Sequence, residues 1–196
     1  MTERKEVKVA IFVDGPNLYH MTKNLGYRIN FKELIYTLCN EEGVYPTILE
    51  YFYDFNPKKP LTDGFNQFLG MLKSLSFNII PVELKSYYGK NQYKDFKSRT
   101  DSAINFRVGK YLAQNIFDTI ILISGDSDFE YLTKECKNAG KQVIIIAITE
   151  QIANNLYNYA DMVLCLDKLN QKGRKLLLPI PERHDEADEF PQENTR

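Results

Sequence analysis

The chain has 196 residues and 43% hydrophobic content, enough for one ordinary closed-core domain with a modest tail. Its 25 Lys plus Arg nearly cancel 26 Asp plus Glu, so net charge announces no nucleic-acid binder and any such role must rest on a local patch. Cys39, Cys136 and Cys165 form no CxxC pair, which disfavours zinc and disulfides. No apolar run nears the roughly 20 residues of a membrane helix, and the charged stretch 1–8, followed by a short apolar run ending in Asp14, has the wrong shape for a signal peptide. A cytoplasmic protein with no membrane partner is expected.

In chain order, short β-branched runs at 7–13, 47–53, 78–84, 119–123, 143–148 and 162–166 predict strands. Stretches of helical period at 31–39, 65–75, 100–115, 129–138 and 151–159 lie between them, with Gly140 as the C-cap of the fourth. This alternation predicts an α/β fold, a three-layer sandwich with a largely parallel central sheet. The unbroken hydrophobic runs at 120–123 and 143–146 predict the two most central strands. The domain is expected over 1–170. Residues 171–196 are expected to form a tail, disordered over its Pro-rich and acidic part from Pro179.

Two of these strands end in acids. Asp14 closes Ile11-Phe12-Val13-Asp14-Gly15-Pro16-Asn17, and Asp126 and Asp128 follow Ile123 in Ser124-Gly125-Asp126-Ser127-Asp128-Phe129. Open α/β sheets bind ligands beyond the carboxyl ends of their strands, which is where these acids fall. Asp101 starts a helix that leads into the strand at 119–123 and could return to the same edge. Carboxylates gathered within about 4–5 Å repel by roughly 3–4 kcal/mol per pair at an effective dielectric of about 20, so such a site needs a cation or protons. Oxygen donors without nitrogen or sulfur favour Mg²⁺ or Mn²⁺, which could activate water against a phosphodiester. Asn17 would hold the attacking water or a phosphate oxygen, Ser124 and Ser127 could donate hydrogen bonds, and Thr149 could line the same edge. Each residue also has a plainer role: Asp14 as turn chemistry, Asp126, Ser127 or Asp128 as a helix cap, Asp101 as a first-turn acid.

Residues 85–99 break the rhythm and predict an exposed loop or hairpin, with Lys85, Lys90, Lys94, Lys97 and Arg99 interleaved by Tyr87, Tyr88, Tyr93 and Phe96. The lysines could hold phosphates and the aromatic rings stack on bases, or the segment could be a solvated hairpin. Neither His20 nor His184 has a metal-site spacing, and the glycine-rich phosphate loops are absent.

The Asp14 motif through Leu18, then Asp101 opening a helix, then the Ser124 to Phe129 motif together resemble the NYN domain family, a branch of the PIN-like fold that comprises known and presumed ribonucleases. The resemblance runs from Val7 to Asp167 and includes the closing Asn158-Tyr159-Ala160-Asp161. It implies a PIN-like sandwich in which Asp14, Asp101, Asp126 and Asp128 hold Mg²⁺ or Mn²⁺ for RNA hydrolysis, with Asn17 as a polar companion. One departure stands out: Arg107 or Asn105 occupies the place where many members carry a further acid. Arg107 could instead pair with a site carboxylate or with phosphate, and the number of metal ions is left open. The leading expectation is a metal-dependent endoribonuclease acting on single-stranded RNA. The alternatives are a non-catalytic RNA- or protein-binding module on the same fold, and a phosphohydrolase of small phosphate esters. Oligomeric state is left open.

Overall fold

The computed structural model describes residues 6–88 and 94–180, with the side chains of Tyr88, Lys94 and Asp95 outside the description. Its centre is a six-stranded parallel sheet. The strands are Val7–Asp14 (β1), Val44–Phe55 (β3), Asn78–Glu83 (β4), Thr119–Ile123 (β7), Gln142–Ala147 (β8) and Met162–Cys165 (β9), in the order β4-β3-β1-β7-β8-β9. Residues 9–13 of β1 and all of β7 are buried, as expected for strands covered on both faces. The chain steps from β1 to β3 and β4, then crosses to β7 and continues to β8 and β9. The direction of winding therefore reverses between β1 and β7, which pair in register from Val9 with Thr119 to Val13 with Ile123. The most central pair is thus β1 and β7, not the expected β7 and β8. Burial on both faces makes β8 read as central although it lies one strand from the edge.

Five helices cover the sheet: Gly15–Leu25 (α1), Phe31–Cys39 (α2), Asp63–Ser74 (α3), Thr100–Ala113 (α4) and Glu130–Asn138 (α5). With right-handed crossovers, the reversal at β1 and β7 puts α1, α2 and α3 on one face and α4 and α5 on the other. Side-chain alternation along β3 agrees. Tyr51 meets Phe31 of α2 and Phe68 of α3, whereas Glu50 faces Arg107 and Tyr111 of α4. The same alternation places Phe12 and Asp14 of β1 on the α4 face, where the Phe12 ring lies 6.1 Å from that of Tyr111.

The expected helix at 151–159 is instead a turn followed by a 3-10 helix, Asn154–Asn158. The Ala153 N–H donates to the Gly125 carbonyl at 2.9 Å, so it cannot enter a helical ladder. Gly140 does close α5, at φ 72°. The basic segment forms an antiparallel hairpin, Lys85–Tyr88 (β5) with Lys94–Lys97 (β6). A small antiparallel pair joins Tyr27–Ile29 (β2) to Leu177–Pro179 (β10). Residues after 170 thus take part in the fold, and the rest of the expected tail, 181–196, lies outside the described residues. No helix among the described residues is long and apolar enough to cross a membrane.

Candidate metal centre at the carboxyl edge

The first motif folds as a strand running directly into a helix. Asp14 has an extended backbone at the end of β1 and caps α1, its Oδ1 accepting from the Asn17 N–H at 3.3 Å, with Pro16 in the first turn. Gly15 is needed because a Cβ there would sit 2.3 Å from the Phe52 carbonyl and 2.8 Å from the Tyr51 hydroxyl. The plainer role and the site role therefore coincide in Asp14: one oxygen caps, and the carboxyl is buried at the switch point of the sheet.

The second motif closes over the first. The Ser124 hydroxyl donates to Asp14 Oδ2 at 3.0 Å and itself accepts from the Asp126 N–H at 3.2 Å. The Gly125 N–H donates to Asn17 Oδ1 at 3.0 Å, so the side-chain carbonyl of Asn17 straps the two motifs together. A Cβ on Gly125 would lie 2.3 Å from the Gln151 carbonyl, which leaves no room for another residue. Asp126 caps the 3-10 turn Ser127–Phe129, its Oδ1 accepting from the Asp128 N–H at 3.0 Å, with the Ser127 hydroxyl at 3.5 Å. Asp128 and Ser127 are exposed, while Phe129 is sealed in the core.

A third strand-end acid was not singled out in the sequence. Asp54, near the end of β3, is 7% exposed and its Oδ1 accepts from the hydroxyls of Ser98 at 3.0 Å and Thr100 at 2.8 Å. Glu50, Phe52 and Asp54 share a face by strand period, and Phe52 is the register partner of Asp14, so Asp54 projects on the α4 face beside Asp14. The signal was partial: Asp54 follows an apolar run, but β3 continues to Phe55 and no glycine turn marks its end. Through Thr100, Asp54 also anchors the start of α4, whose first turn carries the half-buried Asp101.

Electrostatics single out Asp14. Burial pushes its carboxyl up to about 7; the Asn17 and Ser124 hydrogen bonds oppose this, and the charges of Asp126 and Asp54 add to it. No Lys or Arg among the described residues pairs with it.

Other sequence candidates lie elsewhere. Arg107 is committed to the buried Glu50, to which its Nε donates at 2.7 Å while Nη2 bonds the other carboxylate oxygen and the Tyr111 hydroxyl. Glu50 is not one of the strand-end acids but lies four residues down β3 from Asp54, so Arg107 pairs outside the site. The Thr149 N–H donates to Asp167 at 2.9 Å, near the end of β9. Arg99 Nη2 donates to the Glu83 carbonyl at 3.0 Å and fastens the hairpin base. Lys85 and Lys97 are exposed register partners in the hairpin, a like-charge pair that an anion would relieve. Lys90 lies outside the described residues, as does the side chain of Lys94. Among the described residues, no three acidic, imidazole or thiol side chains are gathered closely enough to hold a metal ion by themselves.

The NYN domain family matches residues 8–174. The chain is 22% identical over 174 residues to the low amplitude and bright protein LabA of Synechococcus elongatus, across 89% of this chain and 91% of that protein. Among solved structures it resembles VPA0982, a protein of unknown function from Vibrio parahaemolyticus, with a TM-score of 0.67 and 19% identity, over 91% of this chain and all of that one. That likeness shows the shared fold, an α/β sandwich, which is consistent with the PIN-like fold. Family membership points, at the family level, to a nuclease-like function related to RNA. With its family match spanning most of its length and both acid motifs meeting at the switch point of the sheet, the chain belongs to the NYN domain family.

Proposed function

We propose that this protein is a metal-dependent ribonuclease that cleaves single-stranded RNA internally at the edge between β1 and β7. The observation that carries the reading is Asp14: a carboxyl buried at a strand end, pushed up to about 7, beside two further strand-end acids and without a basic partner among the described residues. Such a group needs a proton or a cation, and all-oxygen donors suit Mg²⁺ or Mn²⁺. Mg²⁺ usually binds through one or two carboxylates and keeps several waters, so a site short of three gathered acids still fits it. Asp14 and Asp126 would hold the ion, with Asp101 and Asp128 able to reach it directly or through water. When bound, the ion supplies a nucleophilic water and charge stabilisation at the scissile phosphate.

This chain's own residues do the positioning. Ser124 fixes one oxygen of Asp14 and the Asn17 N–H the other, which leaves each oxygen a lone pair that these two hydrogen bonds do not use. Asn17 uses its carbonyl to hold Gly125, so its amide N–H₂ is the part that can reach water or phosphate. The hairpin lysines draw the strand in by its phosphates. A second reading, RNA or protein binding without turnover, draws on the capping duties of Asp14 and Asp126, which would preserve both acids without catalysis.

The test is cleavage of a labelled single-stranded oligoribonucleotide by the full chain. Cleavage should require Mg²⁺ or Mn²⁺, stop with a chelator, and fall about a thousandfold in Asp126→Asn, roughly 4 kcal/mol of transition-state stabilisation. The amide oxygen can still cap the 3-10 turn, so folding is spared. Turnover unaltered by that substitution refutes the reading, and RNA binding without turnover in the wild type favours the second one.

A further inference from the structure

Tyr131 lies in the first turn of α5, three residues after Asp128, and the 3-10 turn Ser127–Phe129 that carries Asp128 runs directly into this helix. Its side chain is 76% exposed, while the adjoining Leu132 and Thr133 are buried. The Lys134 ammonium lies 5.7 Å from the centre of its ring. Lys134 makes no ion pair among the described residues, and Glu130, one turn before it, is engaged by the Asn155 amide at 2.7 Å.

A similar pair on the opposite face gives the contrast. Tyr36 of α2 is 56% exposed and has the Lys175 ammonium 5.8 Å from its ring centre, but Lys175 is held by Glu33 at 3.7 Å. That pair is electrically closed and far from the acids of the second motif. Lys134 has no such partner among the described residues, and Tyr131 and Lys134 follow closely in the chain on the turn that Asp126 caps and that carries Asp128.

We infer that Tyr131 and Lys134 form a nucleotide subsite next to the proposed cleavage centre, with the Tyr131 ring stacking on a base of single-stranded RNA and Lys134 taking an adjoining phosphate. The subsite rests on the proposed ribonuclease reading for its substrate. Every base has a π-face, so the ring binds without demanding a sequence, and the lysine adds a contact that salt weakens. The hairpin beside Asp54 and this subsite beside Asp128 flank the acids on both sides, which sets a path for the strand across the edge. The subsite also favours unpaired over duplex RNA, because a base within a stack cannot offer its face to Tyr131.

The chain contains no tryptophan, so Tyr131→Trp places a single reporter at the subsite. With a chelator present to stop turnover, a single-stranded oligoribonucleotide should quench that tryptophan saturably, and an abasic oligomer of equal length should quench it far less. Tyr36→Trp should show no saturable change. In the cleavage assay Tyr131→Ala should raise KM about tenfold, with a much smaller change in kcat, and Tyr131→Phe should restore KM. RNA that binds by anisotropy yet leaves Tyr131→Trp unquenched, or that quenches Tyr36→Trp equally, overturns the subsite alone. Wild-type protein that binds no RNA overturns the ribonuclease reading and the subsite with it.

Discussion

Glu50 and Asp14 lie on the same face of adjacent strands, 2% and 5% exposed, yet among the described residues only Glu50 has a cation of its own. Arg107 reaches it with two nitrogens, and Tyr111 and Asn78 add hydrogen bonds, so that the buried charge is matched within the chain. Among the described residues Asp14 receives only neutral donors, and the charges that act on it are two more carboxylates. The fold thus knows how to neutralise a buried acid and does so four residues down β3 from the edge, while the switch point is left with a deficit that an external cation can fill.

The contrast can be broken from either side, and the largest effect is expected at Asp14. Its carboxyl is raised, so the folded state holds its proton over a range where the unfolded chain has released it. Stability should therefore fall as pH rises from about 4 to 7, by at most roughly 4 kcal/mol for a shift of about three pH units. Denaturant melts of metal-free wild type and Asp14→Asn should show this slope in the difference between the two, and a flat difference contradicts it. On the other side, Arg107→Ala strands Glu50 without its partner. We expect a loss of about 3 kcal/mol, at the lower end for a buried pair because the guanidinium is 31% exposed. Arg107→Ala with Glu50→Gln should recover part of that loss in the same melts. A single variant as stable as wild type would show that the pair does not offset the burial of Glu50.

Gly125→Ala tests the geometry between the two regions. Its Cβ would press on the Gln151 carbonyl, and we expect about 2 kcal/mol of destabilisation together with weaker metal binding, since Ser124 and Asp126 flank the shifted residue. The smallest effect is expected in the hairpin. Lys85→Glu with Lys97→Glu should weaken action on RNA about tenfold and steepen with lower salt. Hydrolysis of a small phosphate ester should be untouched by the same change, and an equal loss on both substrates would count against a phosphate-guiding hairpin.

Much of this was legible because the strands announce themselves. Thr119–Ile123 is a pure β-branched and leucine run, and it folds with those bounds. The helix at Phe31–Cys39 likewise follows its apolar spacing, with Asn30 as its cap. Both acid motifs were placed by the same logic, an apolar strand ending in Asp at the carboxyl edge. What escaped notice required pairing information. Asp54 sits in Tyr-Asp-Phe-Asn, with no glycine turn after it to mark a strand end, and its place beside Asp14 appears only once β3 is in register with β1. The partner of Arg107 was hidden for the same reason, because Glu50 reads as an interruption of a strand until α4 is laid across it. The helix over Gly15–Leu25 was obscured by Asp-Gly-Pro-Asn, whose turn chemistry is also that of a capped helix start.

The claim that Asp14 awaits a cation has a direct measurement in calorimetric titration of the full chain with Mn²⁺ near pH 7, in buffers of different ionisation enthalpy. A carboxyl that titrates at about 7 is close to half protonated there, so binding should release roughly half a proton. Asp14→Asn should abolish both the binding and the release. Mn²⁺ binding that releases no proton and survives Asp14→Asn would place the ion elsewhere and contradict the account.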